Sequence, residues 1–292
     1  MTKILVLLST WNGERYLPAQ IASLLAQRVP GDLLILIRDD GSSDDTVGLI
    51  QRLDDPRIRL VEGNNLGPRG SFLALLRMAQ QEGADFVSLC DQDDVWDPDK
   101  LGRAISMLGS EQPGLYSSSL NLVDDNLEPI GVFAHPGNRS FVSTLLCNYV
   151  TGCTCVMNGR FIEQLPFPEN ADQIIMHDWW LASIATLRGQ VVYDRQSFIG
   201  YRQHAANHVG IKTGIGKVFA KLQSVSGRPL TSRFDQAREL LRSAEDHLSP
   251  GQKKTLFAFL KGEGSWSQRL RFVLARRTGI GLARILLFVA VG

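Results

Sequence analysis

The chain has 292 residues, 44% of them hydrophobic and 21% charged, which excludes a disordered, collagenous or coiled-coil protein and suits one large domain or one domain with an appendage. Its net charge of +1 conceals an asymmetry, because residues 1–210 carry 16 Lys and Arg against 25 Asp and Glu while residues 211–292 carry 15 against 5. An acidic body argues against nucleic acid as a partner, since duplex binding requires phosphate neutralisation, and leaves a basic piece to meet an anionic surface.

Residues 4–8 form a continuous apolar run closed by Ser9-Thr10-Trp11-Asn12-Gly13, the pattern of a buried strand and its loop. The run is too short to span a bilayer and carries no signal-peptide cleavage pattern, so the expected location is cytoplasmic. Residues 16–28 set Leu17, Ile21, Leu24 and Leu25 at helical spacing. A second apolar run, 33–37, is halted by Arg38-Asp39-Asp40-Gly41, and residues 42–45 offer N-caps for a helix through Leu53. A short strand over 58–61, a glycine-rich loop over 64–70 and a helix over 72–80 follow. A fourth strand over 86–90 is halted by Asp91-Gln92-Asp93-Asp94. Strands alternating with helices predict βαβ units and a mainly parallel sheet, whose ligands bind beyond the carboxyl ends of the strands. The polar clusters after these strands should therefore converge on one rim. Cys90, Cys147, Cys153 and Cys155 are too few for a disulfide scaffold and form no CxxC pair, so all are expected as reduced thiols outside any metal site.

Each cluster admits a chemical and a bland reading. Carboxylates two apart after a strand can share a hard cation such as Mg²⁺ or Mn²⁺, which keeps coordination positions for a substrate diphosphate. The bland reading of Asp91-Gln92-Asp93-Asp94 is a solvated acidic loop. Asp39 or Asp40 can accept from a nucleobase or a ribose, or simply close a turn. The 64–70 loop matches no P-loop, and no Rossmann fingerprint follows the first strand. His177-Asp178-Trp179-Trp180 precedes an apolar helix over 181–187. Asp178 there is either a cap favoured by the helix dipole or a general base whose pKa the tryptophans raise, and at least one tryptophan reads as core. Arg202 and His204 at a late strand end can act as phosphate clamp or metal ligand, or serve structure alone, as can Asn207 and His208.

Read together, LLSTWNGERYLPAQIASLLAQ, IRDDGSSDDT, NLGPRGSF and SLCDQDDVWDPDKL resemble the GT-A nucleotide-diphospho-sugar transferases, of the inverting kind called family 2. TGCTCVMN, HDWW and YRQHAANHVG are similar to bacterial rhamnosyltransferases that build O-antigens and other rhamnose-containing polysaccharides. The resemblance covers about residues 3 to 210. It implies an α/β fold of GT-A type, a Rossmann-like mainly parallel sheet flanked by helices, over residues 1–210; the composition of residues 211–292 adds a basic, mainly helical region. It implies that Thr10, Asn12 and Glu14 form the first nucleotide loop, that Asp40 in preference to Asp39 faces the base, and that Gly67 and Arg69 lie near the ribose and donor sugar. Asp91 is implied at the ribose or a metal-bound water, Asp93 and His204 at the metal, and Asp178 as the base that takes the acceptor proton. Thr151, Gly152 and Trp179 fall on the acceptor side, and His177 stands where an acid usually precedes the base. The implied cofactor is Mn²⁺ or Mg²⁺. The implied partners are a nucleotide-diphosphate sugar, dTDP-L-rhamnose first, and a glycan or lipid-linked glycan acceptor. One displacement would invert the anomeric centre with no covalent intermediate.

Two other classes compete. A sugar-1-phosphate nucleotidyltransferase needs a glycine-rich loop with Arg and Lys after the first strand, where this chain has residues 9–14 without a basic side chain. A non-catalytic nucleotide-sugar-binding subunit of a membrane assembly fits poorly with Asp93, Asp178 and His204 all retained.

From residue 211 the sequence turns basic. Lys217 and Lys221 flank an amphipathic stretch, 234–247 reads as a helix broken by Pro250-Gly251, and 270–291 follows Arg269 with Arg271, Arg276, Arg277 and Arg284 among apolar residues. The uninterrupted run 285–291 is too short to span a membrane. The expectation is a basic amphipathic helix on the anionic inner leaflet, with a helix packed on the catalytic domain as the alternative. Oligomerisation stays open.

Overall fold

A computed structural model describes residues 1–134, 140–204, 232–276 and 281–291. Asn207, His208, Arg277 and the 217–222 stretch lie outside the described residues. The apolar runs become β1 (Thr2–Thr10), β2 (Gly31–Asp39), β3 (Ile58–Glu62) and β4 (Phe86–Asp91), joined by α1 (Leu17–Leu25), α2 (Thr46–Gln51) and α3 (Gly67–Glu82). Then come β5 (Val95–Trp96), α4 (Lys100–Leu108), β6 (Gly114–Ser118), β7 (Leu120–Val123) and β8 (Pro129–Phe133). They are followed by α5 (Phe141–Leu146), β9 (Val156–Asn158), α6 (Gly159–Glu163), α7 (His177–Arg188), β10 (Gln190–Asp194) and β11 (Ile199–Arg202).

The main sheet has the order β10-β6-β9-β4-β1-β2-β3, and a small sheet has the order β5-β11-β7-β8. β1 pairs in parallel with β2 and β4, whereas β9 is antiparallel to β4 and β6. Register decides where the polar ends fall: Thr10 lies opposite Asp39, and Ser9 opposite Asp91. Alternate strand residues face opposite sides. Leu5, Leu7, Leu36 and Leu89 pack with residues of α3 and α7, while Ile4, Val6, Leu8 and Ile37 pack with residues of α1 and α4. Both faces are covered, so the strands read as unbroken apolar runs rather than as alternation.

The glycine-rich loop is shorter than expected, because α3 already starts at Gly67. Gly67 has φ +70°, Pro68 occupies the first turn, and the Asp40 carboxylate accepts the N–H groups of Leu66 and Gly67.

Beyond residue 231, α8 (Arg233–Ser243), α9 (Pro250–Leu260), α10 (Trp266–Leu274) and α11 (Leu282–Val291) follow. Pro250 does not only end a helix; it opens α9 behind a Ser249–Gln252 capping box. The stretch expected as one helix over 270–291 contributes to two. Arg269, read as part of a basic face, is turned inward, where it donates to the carbonyls of Val289 (3.0 Å) and Ala290 (3.4 Å) at the end of α11. A cation there meets the negative end of the helix dipole. Phe234, Phe259, Phe272 and Phe288 join the same core as Leu5 and Leu89, with Phe259 stacked on Phe288 at 5.5 Å. Each such buried side chain contributes roughly 1.5–3 kcal/mol. Helices α8–α11 thus join the hydrophobic core on the side of the sheet that α3 and α7 cover. Among the described residues, no helix is long and apolar enough to cross a membrane.

Candidate active site

At the carboxyl ends of β1, β2 and β4 the polar clusters are tied to one another. Thr10 Oγ1 and the backbone N–H of Trp11 both donate to Gln92 Oε1, at 2.6 and 2.8 Å. The backbone N–H of Asn12 donates to Ser42 Oγ, and Asn12 Oδ1 accepts from Ser43 N, both at 2.8 Å. Glu14 Oε2 accepts from Asp45 N at 3.0 Å. Asp39 accepts from the backbone of Gly41 and Ser42, and Asp40 is ion-paired with Arg38 as well as holding Leu66 and Gly67. Thr10, Asn12, Glu14, Asp40 and Gly67 are therefore together, as knots that shape the rim. Trp11 stands open above them, 51% exposed. Arg69 departs from the group. Its guanidinium donates to Ile174 O at 2.9 Å and pairs with Asp172, reaching across to the segment that enters α7.

The acidic loop after β4 divides its carboxylates. Asp94 is fully buried, and its Oδ1 accepts from Arg202 N at 3.2 Å. Burial, then the charges of Asp93 and Asp91, push its pKa well up. Asp91 and Asp93 are left as the partly exposed pair. Asp93 Oδ2 lies 2.8 Å from His204 Nε2. Burial, then the charges of Asp93 and Asp178, push Asp91 up to about 7. Behind the pair, Arg202 Nε donates to Asp93 O at 2.9 Å while its guanidinium lies over Tyr16. The Tyr16 ring stacks on His204 at 4.7 Å, and its hydroxyl donates to Asp125 at 2.8 Å.

These residues fit a hard divalent cation. Asp93 and His204 are already in contact, carboxylate oxygens suit Mn²⁺ or Mg²⁺ while an imidazole favours Mn²⁺ of the two, and a cation relieves the Asp93 repulsion that adds to burial in lifting Asp91. Asp91, Asp94 and Cys153 also bring ligand atoms within 4.8 Å of one another. That trio suits a hard cation less, because burial pushes the Cys153 thiol well up and keeps it protonated. The four cysteines are free thiols.

Asp178 is the second residue of α7, 9% exposed. Its Oδ1 accepts from Trp179 N at 2.7 Å, and the Asn148 side chain and Gly152 N–H also bond to it. Burial outweighs these bonds and pushes its pKa up to about 6. Thr151 begins the short turn, with its carbonyl accepting from Thr154 N at 2.9 Å. Gly152 is packed so closely that a Cβ there would stand 2.9 Å from His177 Nε2. His177 lies against Phe72 at 4.2 Å, and burial pulls its pKa down to about 3, so it stays neutral. Trp180 is core, whereas Trp179 is half-buried with its indole N–H on Thr144 O at 2.6 Å.

Sequence reasoning missed Gln92, Tyr16 and Asn148 as site residues. Gln92 carried a signal, an amide between two acids at a strand end. Tyr16 and Asn148 gave none, since their partners are 188 and 30 residues away in the chain.

The sequence profile of "Glycosyl transferase family 2" matches residues 5–144. The chain is 30% identical over 245 residues to a dTDP-rhamnosyl transferase, RfbG, of Shigella flexneri, covering 76% of this chain and 80% of that protein. Among solved structures it is similar to S. aureus TarS 1-349 in complex with UDP-GlcNAc, with a TM-score of 0.58 at 16% identity over 89% of this chain and 72% of that one. It is also similar to the mannosyltransferase PcManGT of Pyrobaculum calidifontis in complex with GDP-Man and Mn²⁺, with a TM-score of 0.53 at 17% identity over 99% and 76%. The fold is that of the GT-A transferases.

Proposed function

The chain belongs to glycosyl transferase family 2, and from that premise we propose that it is an inverting, metal-dependent transferase of bacterial cell-surface polysaccharide synthesis. The observation that carries this reading is the pairing of a buried carboxylate of raised pKa, Asp178, with the acidic pair Asp91 and Asp93 beside His204. In this reading Asp93 and His204 hold the cation, with Asp91 beside them. When bound, Mn²⁺ or Mg²⁺ supplies charge neutralisation for the departing diphosphate. Asp178 accepts the proton of the acceptor hydroxyl, its oxygen steered by Trp179 N–H, Gly152 N–H and Asn148. The new bond forms on the face opposite the leaving group, so no nucleophilic side chain is required. The rim of Thr10, Asn12, Glu14, Asp40 and Gly67 shapes the nucleotide site, and Thr151, Gly152 and Trp179 line the acceptor side.

Similarity to a dTDP-rhamnosyl transferase supports dTDP-L-rhamnose as donor. A lipid-linked glycan at the inner face of the cytoplasmic membrane is the proposed acceptor. Its support is the outer surface of α9–α11. Phe257, Trp266, Leu274, Leu282 and Leu286 are all more than half exposed there, with Lys254, Lys261 and Arg271 also exposed. The test is nucleoside diphosphate release from dTDP-L-rhamnose, UDP-glucose, UDP-galactose, UDP-GlcNAc and GDP-mannose, with Mn²⁺ and then with EDTA. Selective, EDTA-sensitive turnover of dTDP-L-rhamnose is expected. Turnover of another donor removes the rhamnosyl assignment, and turnover that persists in EDTA removes the metal.

A further inference from the structure

Residues 169–176 lead into α7 and Asp178, yet they contain only one short 3-10 turn, Ala171–Gln173. Their backbone is held by side chains of α8, a helix outside the stretch that the family profile matches. Ser243 Oγ accepts from Glu169 N at 3.0 Å, Glu239 Oε1 from Asn170 N at 3.1 Å and Gln236 Oε1 from Ile175 N at 2.9 Å. Residues 236, 239 and 243 recur at helical spacing, so they form one stripe of α8. Glu239 is fully buried, a position a carboxylate tolerates only when hydrogen-bonded. It also receives Ser243 Oγ at 2.8 Å and Arg242 at 3.3 Å. One turn earlier, Arg233 Nε donates to Leu146 O at 3.0 Å, and its guanidinium lies 5.9 Å from the centre of the Trp179 ring. From the opposite side Arg69 holds Ile174 O and Asp172.

We infer that α8 is a working part of the catalytic centre: Gln236 and Glu239 are positioning residues that fix the 169–176 segment, and through it the carboxylate of Asp178, while Arg233 fixes the acceptor-side Trp179. The inference deepens the proposed reaction and rests on Asp178 as its base. Each of the three bonds from α8 to the 169–176 backbone runs from a backbone N–H to a side-chain oxygen, so this hold needs an acceptor atom, while the charge of Glu239 serves its separate pair with the half-exposed Arg242. An amide in place of Glu239 preserves that atom, whereas a leucine in place of Gln236 removes it.

The experiment compares Gln236→Leu and Glu239→Gln with the unaltered full chain by hydrogen–deuterium exchange and by steady-state turnover of dTDP-L-rhamnose with Mn²⁺. In Gln236→Leu, exchange over 169–176 should quicken about tenfold or more while β1 and β4 stay protected. Its kcat should fall about 10- to 100-fold with the donor KM changed less than about twofold, as a misplaced base predicts. Glu239→Gln should stay within about threefold of the unaltered chain in both readouts. Unchanged local exchange in Gln236→Leu overturns the inference, and so does faster local exchange with kcat intact. A uniform rise in exchange across the sheet marks a general folding defect and overturns it too. Exchange is read without any donor, so failure of the positioning claim is distinguishable from failure of the proposed reaction.

Discussion

The rim at the ends of β1, β2 and β4, proposed as the donor side, and the wall around Asp178, proposed as the acceptor side, are assembled differently. On the donor side, three adjacent parallel strands end in register, and each loop hydrogen-bonds its neighbour: Thr10 to Gln92, Asn12 to Ser42 and Ser43, Asp40 to Gly67. On the acceptor side, Asp178 is held by Asn148 and Gly152, its entry segment by Gln236 and Glu239, and Trp179 by Thr144. A rim of strand ends can be located from local pattern alone. A wall of residues gathered from 144 to 243 depends on tertiary packing. The donor side is accordingly a fixed mould, while the acceptor side is where distant substitutions should change chemistry.

The largest expected effect on this contrast comes from Asp178→Asn. Transfer should fall by about 10²- to 10⁴-fold, the range for loss of a general base. The same change should raise stability. The folded pKa of about 6 lies above the ordinary aspartate value of 3.8, so the favourable contribution of protonated Asp178 is present at low pH and lost as pH rises through about 6. At pH 8 the neutral amide avoids up to about 3 kcal/mol of that cost. Thermal melts at pH 8 and pH 4 check this, and a variant less stable than the parent at pH 8 would refute it.

On the donor side, Asp40→Ala should strip about 3–5 kcal/mol from the fold, because it leaves Arg38 buried without its partner. Denaturant unfolding measures it, and a loss below about 1 kcal/mol would mean that Asp40 is no structural knot. Between the two walls, His204→Ala should weaken Mn²⁺ binding to the free protein about 10- to 100-fold, read from the free-ion signal in electron paramagnetic resonance. Unchanged binding would place the ion elsewhere.

The pH profile gives a smaller, graded effect. Asp178 must be ionised to accept a proton, so kcat should fall about tenfold per pH unit below about 6 and flatten above it. A flat profile from pH 5 to 8 would argue against this base. The smallest effect concerns the outer helices. Phe257→Glu with Leu286→Glu should reduce co-sedimentation with phosphatidylglycerol vesicles several-fold and leave turnover of soluble donor unchanged. Equal binding by parent and variant would remove the membrane from the account.

What was legible in the sequence follows the same division. The runs at 4–8, 33–37, 58–61 and 86–90 gave the strands because both faces of the sheet are buried, and the polar residues after them marked the rim. HDWW pointed to Asp178, and 234–247 read as a helix, but nothing local pointed to Asn148 or showed that Gln236 and Glu239 of α8 are buried. The resemblance implies Arg69 near the donor sugar, and its long side chain reaches Asp172, a contact that no local pattern marks. Arg269 reads as surface charge, yet it caps α11 from within. Long side chains and helix ends are settled by packing, which periodicity does not encode.

The most direct test of the account is a paired measurement on the parent chain and Asp178→Asn: dTDP affinity in the presence of Mn²⁺, and dTDP release from dTDP-L-rhamnose. The account predicts affinities within about twofold of each other and release reduced at least about 10²-fold in the variant. Release by Asp178→Asn at the parent rate, with affinity intact, would contradict it.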